Sequence, residues 1–117
     1  MKAFVFATIV AAAFAGAAHA ASLEDLKASY KSHCLHEMGG DTRGPKICKC
    51  VVKTIDETIG ADQLELAYGV MVADDDGLDD GAAASSLGLT VENYVELRDQ
   101  LRDMEKGIRK SCSKATN

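Results

Sequence analysis

Two of the four cysteines stand two residues apart, in Cys48-Lys49-Cys50, and that spacing constrains the fold more than any other feature of the chain. On a helix, residues two apart point roughly 200° away from each other. Cys48 and Cys50 are therefore poor partners for one another, and no single cysteine can serve both. Cys34 and Cys112 supply the other two sulfurs. The geometry points to two bridges leaving opposite sides of one helix. Cys34 lies about a turn before a glycine-containing loop and Cys48 about a turn after it, so in an antiparallel hairpin they face each other. This favours Cys34–Cys48, which leaves Cys50–Cys112. A rotation of the helix would satisfy the alternative, Cys34–Cys50 with Cys48–Cys112.

An even number of cysteines used as staples belongs to an oxidising compartment, and the N-terminal residues agree. Lys2 precedes an uncharged, mostly apolar run from Ala3 to Gly16, and Ala18-His19-Ala20 is a small-x-small cleavage site. The run falls short of the roughly 20 apolar residues that a membrane span needs. Ala21, where a lipid anchor would need cysteine, argues against bacterial lipidation. The expected organisation is a signal peptide over 1–20 and one disulfide-bonded domain over 21–117. Export to the periplasm or beyond follows, with no stable membrane anchor after cleavage. Loss of Lys2 would take the formal charge from −5 to −6. An acidic chain is a poor ligand for nucleic acid, whose binding rests on neutralising phosphates. All three phenylalanines, Phe4, Phe6 and Phe14, lie in the leader and there is no tryptophan. The domain's core must therefore be aliphatic, with Tyr30, Tyr68 and Tyr94 as its large rings.

Helical spacing organises the rest. Ser22 reads as an N-cap, and Leu23, Leu26, Tyr30 and Cys34 then recur on one face to about Met38. Gly39-Gly40 ends this helix, and Pro45 suits the first turn of the next. Ile47, Cys48, Val51, Ile55 and Ile59 form a second stripe, closed by Gly60. Asp62-Gln63-Leu64-Glu65 fits a capping box for a third helix that buries Leu64, Tyr68, Met71 and Val72 on one face. The stretch Ala82 to Leu89 reads either as a short helix or as a loop that tucks Leu87 and Leu89 inward. Thr90 caps a last helix, in which Tyr94, Leu97, Leu101, Met104 and Ile108 step by three and four. Arg98, Arg102, Lys106, Arg109 and Lys110 crowd its second half, where positive charge suits the helix dipole. No segment alternates like a strand. The expected fold is all-α, a four-helix bundle with Ala82–Leu89 as a candidate fifth helix, stapled by two disulfides.

Three clusters carry candidate chemistry. His33 and His36 share a helix face, with Glu37 and Met38 nearby. With reduced cysteine thiols they would make a soft-metal set for a copper or zinc carrier. The bland reading is a pair of surface histidines at a helix end. The run from Asp74 to Gly81 offers Asp74, Asp76, Asp79 and Asp80 to calcium. Its EF-hand register fails, because Leu78 takes the third position and Leu87 the twelfth. The plainer reading is a solvated acidic loop. Ser85, Ser86 and Ser111 have no histidine near them in sequence, and there is no haem-attachment motif or phosphate loop. The chain therefore reads as a non-enzyme without a cofactor.

The placement of Cys34, Cys48-x-Cys50 and the late Cys112 resembles a loose group of small uncharacterised exported bacterial helical proteins. That group carries an early cysteine, a Cys-x-Cys at the start of a helix and a final cysteine. The resemblance implies a helical, disulfide-bonded domain and assigns no functional residue. The leading expectation is a protein-binding or structural module whose partner is another protein. A metal carrier and a calcium-binding loop are its rivals.

Overall fold

Each helix begins and ends where the chain supplies a reason. The computed structural model describes residues 22–116, and the predicted signal peptide lies outside that range. Helix α1 spans Leu23–Glu37, and the Ser22 hydroxyl accepts the Asp25 amide at its N-terminus. Gly39 follows at φ +61°, a left-handed conformation that suits glycine, and the chain turns back. In the turn, Asp41 accepts the Arg43 amide at 2.8 Å and is held against the Arg43 guanidinium at 3.1 Å. Helix α2 spans Gly44–Thr58 with Pro45 in its first turn. A 3-10 turn over Ala61–Gln63 leads into α3, Leu64–Asp75. Asp79 caps the short α4, Asp80–Ser86, and Thr90 caps the long α5, Val91–Ala115.

The result is an all-α bundle with five helices among the described residues. Helix α1 packs on α2 and α3, and α5 packs on the same two and on α4. The four longer helices thus form a square in which α1 faces α5 across one diagonal and α2 faces α3 across the other. Tyr30, Tyr68 and Tyr94 are all buried in it, as the composition requires.

Three local expectations need correction. Asp62 makes no capping bond, because the chain enters α3 through the 3-10 turn and Gln63 stands at the cap without a side-chain bond. Gly60 has φ −58° and Ile59 occupies the C-cap of α2, so no left-handed glycine ends that helix. Helix α3 does not bury one face. Residues Leu66, Ala67, Tyr68, Gly69, Val70 and Met71 are buried in succession, and Val72 is only half-buried. Neighbours on several sides cover it, so a near-continuous apolar run replaces the stripe. Gly69 makes one of those contacts possible, since a Cβ there would stand 2.9 Å from the Leu87 side chain. The ambiguous stretch resolves as both readings in turn. Its first part is helix, and Leu87 and Leu89 then fold inward onto the core.

The disulfides join Cys34 to Cys48 and Cys50 to Cys112, leaving no free cysteine. They fasten α2 to α1 on one side and to α5 on the other. The loops closed have sequence separations of 14 and 62 residues. In the chain-entropy picture these closures are worth about 3 and about 4 kcal/mol. Replacing Cys50 and Cys112 together by alanine should therefore lower the unfolding free energy by about 4 kcal/mol, and replacing Cys34 and Cys48 by about 3 kcal/mol plus a cavity cost. Urea titration under non-reducing conditions measures both.

Candidate functional site

Polar groups enter the core from two tyrosines that cross at its centre. The rings of Tyr30 on α1 and Tyr68 on α3 meet edge to face, with centroids 5.5 Å apart. Each sends its hydroxyl across a diagonal of the square. Tyr30 donates to Glu105 on α5. Tyr68 donates to Asp56 on α2 at 2.9 Å, and Lys27 of α1 pairs with the other oxygen of Asp56 at 2.6 Å. Burial, then the adjacent carboxylates Glu105 and Asp56, push both phenols far above their ordinary range. Both tyrosines therefore stay neutral and serve as donors.

From Glu105 the network runs outward into a groove between α1, α3 and α5. Arg109 holds Glu105 at 3.3 Å and Glu37 at 2.8 Å, so one guanidinium links α5 to the end of α1. Asp75, the last residue of α3, lies beside them with its side chain 17% exposed. Its Oδ1 is 3.9 Å from His33 Nε2, and its Oδ2 is buried without a hydrogen-bond partner among the described residues. Arg109 Nε is buried in the same condition. Burial raises the Asp75 carboxyl to about 6, the neighbouring His33 opposes that shift, and Glu105, Glu37 and Asp74 add to it. On the solvent side Asp99, Arg102, Asp103 and Lys106 complete an open groove of about 600 Å³.

The histidines and aspartates offered as ligands from sequence lie outside the lining of this groove and do not meet at one point. His33 reaches Asp75, whereas His36 is exposed, and both border a shallow depression with Ser29, Ser32 and Asp76. All four cysteines are bonded, so a thiolate set near the histidines would first need reduction. The acidic residues offered to calcium have separate duties. Asp74 grips the Arg102 guanidinium through both oxygens, at 2.6 and 2.8 Å. Asp80 pairs with Arg98 at 2.7 Å, and Asp79 accepts the Ala82 amide at 2.8 Å. Asp76 sits exposed at the end of α3. Among the described residues no group of three or more His, Cys, Asp or Glu stands ready to hold a metal ion.

The network of Tyr30, Glu37, Asp75, Glu105 and Arg109 was not among the sequence candidates. Part of it was visible in principle, because Glu105 and Arg109 are four apart on α5 and flank the apolar stripe. The arginines of α5 serve less as dipole partners than as ties to other helices, through Asp74, Asp80 and Glu37. No family model matches the chain, and neither a curated protein nor a solved structure is similar to it.

Two substitutions test these electrostatics. An acid whose folded pKa exceeds its unfolded value binds its proton more tightly in the folded state. Ionised Asp75 therefore opposes folding above about pH 6, and the penalty fades as the pH falls toward the unfolded value of 3.8. Asp75→Asn should stabilise the protein by about 2 kcal/mol at pH 7, and the gain should vanish near pH 4. Denaturation of both proteins across that range measures the difference. Tyr30→Phe should cost about 1–3 kcal/mol, because it leaves the Glu105 carboxylate short of a donor.

Proposed function

We propose that the chain is a non-enzymatic exported protein, periplasmic or secreted, that works by binding another protein. The observation that carries this reading is the α1–α3–α5 groove. It is open and charged, and its walls are fixed by cross-helix ion pairs that include Arg109 with Glu37 and Arg102 with Asp74. Small-molecule sites are enclosed and mostly apolar. A preformed polar groove on a stapled scaffold instead suits a polar protein surface, since little order is lost when the partner arrives.

Export is supported by the leader features in the sequence and by the two disulfides, which persist outside the reducing cytoplasm. No helix among the described residues is long and apolar enough to cross a membrane. Protein recovered from the envelope should begin at Ala21, and reduction should add four hydrogens to its intact mass. A partner should be enriched from envelope extract by the native protein. The double substitution Glu37→Lys with Arg102→Glu, which inverts two exposed charges of the groove, should reduce that capture at least several-fold. Equal capture by both proteins, or no enrichment by either, would overturn the reading.

A further inference from the structure

The outer face of α5 carries a charge pattern that contacts among the described residues do not explain. Glu96, Asp99 and Asp103 are followed by Lys106, Lys110 and Lys114, and all six are exposed. At 100° per residue they fall within about 80° of one another, on the side of the helix opposite Tyr94, Leu101, Ile108 and Cys112. Among the described residues only Asp99 has an ion pair, with Arg98 at 3.2 Å. Like charges stand four apart at Asp99 and Asp103, at Lys106 and Lys110, and at Lys110 and Lys114. Such pairs destabilise a helix. The helix dipole accounts for charges in the first and last turns only, whereas Asp99, Asp103 and Lys106 lie mid-helix.

Gly107 sits beside the stripe. Glycine is the poorest helix former after proline, and a Cβ at this position would meet nothing within 4 Å. No contact among the described residues accounts for glycine there. Its missing side chain does let a second backbone come close from outside.

We propose that this face pairs with a second copy of the chain, the two α5 helices running antiparallel about a two-fold axis level with Met104 and Glu105. In that register Asp103 faces the second copy's Lys106 and Asp99 its Lys110, and Glu96 stands within one residue, about 1.5 Å of rise, of its Lys114. The symmetry repeats each pair, so an acidic half always meets a basic half. The stripe is self-complementary only in this antiparallel sense; a parallel arrangement would oppose like charges along its length. The contact is polar, so it is weak and sensitive to salt. It does not rest on the partner-binding reading, although Asp99, Asp103 and Lys106 also form the outer rim of that groove.

Sedimentation equilibrium on the purified, oxidised protein tests it. A reversible dimer is expected at about 20 mM salt and should dissociate at about 500 mM, as the screening length falls from roughly 20 Å to roughly 4 Å. Asp103→Lys and Lys106→Glu each place like charges across the axis, and each should weaken the dimer roughly tenfold. Mixing the two variants in equal amounts creates matched pairs and should restore association. Glu96→Lys with Lys114→Glu provides a second exchange should either first variant fold poorly by circular dichroism. A monomer at low salt up to roughly 1 mM protein overturns the proposal. So does a dimer that the single variants leave unchanged, or one that the mixture fails to restore.

Discussion

Helix α2 is the part that the other helices are fastened to. Cys48 and Cys50 leave it on different sides, one bridging to α1 and the other to α5. A single bridge would leave the helix hinged about one line. Two bridges from divergent faces fix its rotation as well as its position. Once α2 is set, the apolar run Ile47, Val51 and Ile55 faces inward. Helices α1 and α5 then stand on either side of it, and α3 closes the square. The described residues include no tryptophan or phenylalanine to enlarge this core. Small aliphatic cores supply little net stability, so the covalent constraints matter more here than in a larger domain.

The tyrosines connect what the disulfides do not. The bridges act along sides of the square, α2 to α1 and α2 to α5. Tyr30 and Tyr68 act across its diagonals, to Glu105 and Asp56. Each hydroxyl carries a polar bond through the centre while its ring fills space, which aliphatic residues could not do together. Both phenols are held neutral, so each carboxylate gains a donor without a second charge entering the core. The charges themselves stay near the rim, where Lys27 and Arg109 compensate them.

Local signals in the sequence were legible and distant ones were not. Ser22 and Thr90 could be read as caps because a cap is decided within three residues. Helical divergence excluded only a Cys48–Cys50 bond; it was the place of Cys34 and Cys48 about one turn to either side of the same loop that favoured the observed pairing over Cys34–Cys50 with Cys48–Cys112. Asp62 misled for the same local reason: the residues of a capping box were present, but the turn before α3 took 3-10 geometry and left the box unformed. The all-round burial of α3 was hidden, since Leu66, Val70 and Ala73 are covered by helices that sequence spacing does not place. The acidic run looked like one solvated loop. Its carboxylates instead belong to the end of α3 and the start of α4, and Arg98 and Arg102 of α5 reach back 18 and 28 residues to Asp80 and Asp74. The groove shares that origin, being assembled from Glu37, Asp75 and Arg109, which stand far apart in the chain.

Asp75 shows what the staples permit. An ionised carboxylate largely withdrawn from water, with Glu37, Glu105 and Asp74 near it and His33 in partial opposition, should disfavour folding by about 2 kcal/mol at neutral pH. Net stabilities of small domains are about 5–15 kcal/mol, so an unstapled chain of this size would feel that penalty strongly. The two closures together offset it about threefold. The groove thus carries an under-compensated acid on its wall, in a fold that two disulfides help to hold rigid. Removing the acid would make a more stable protein with a less charged groove. Stability therefore does not account for aspartate at position 75.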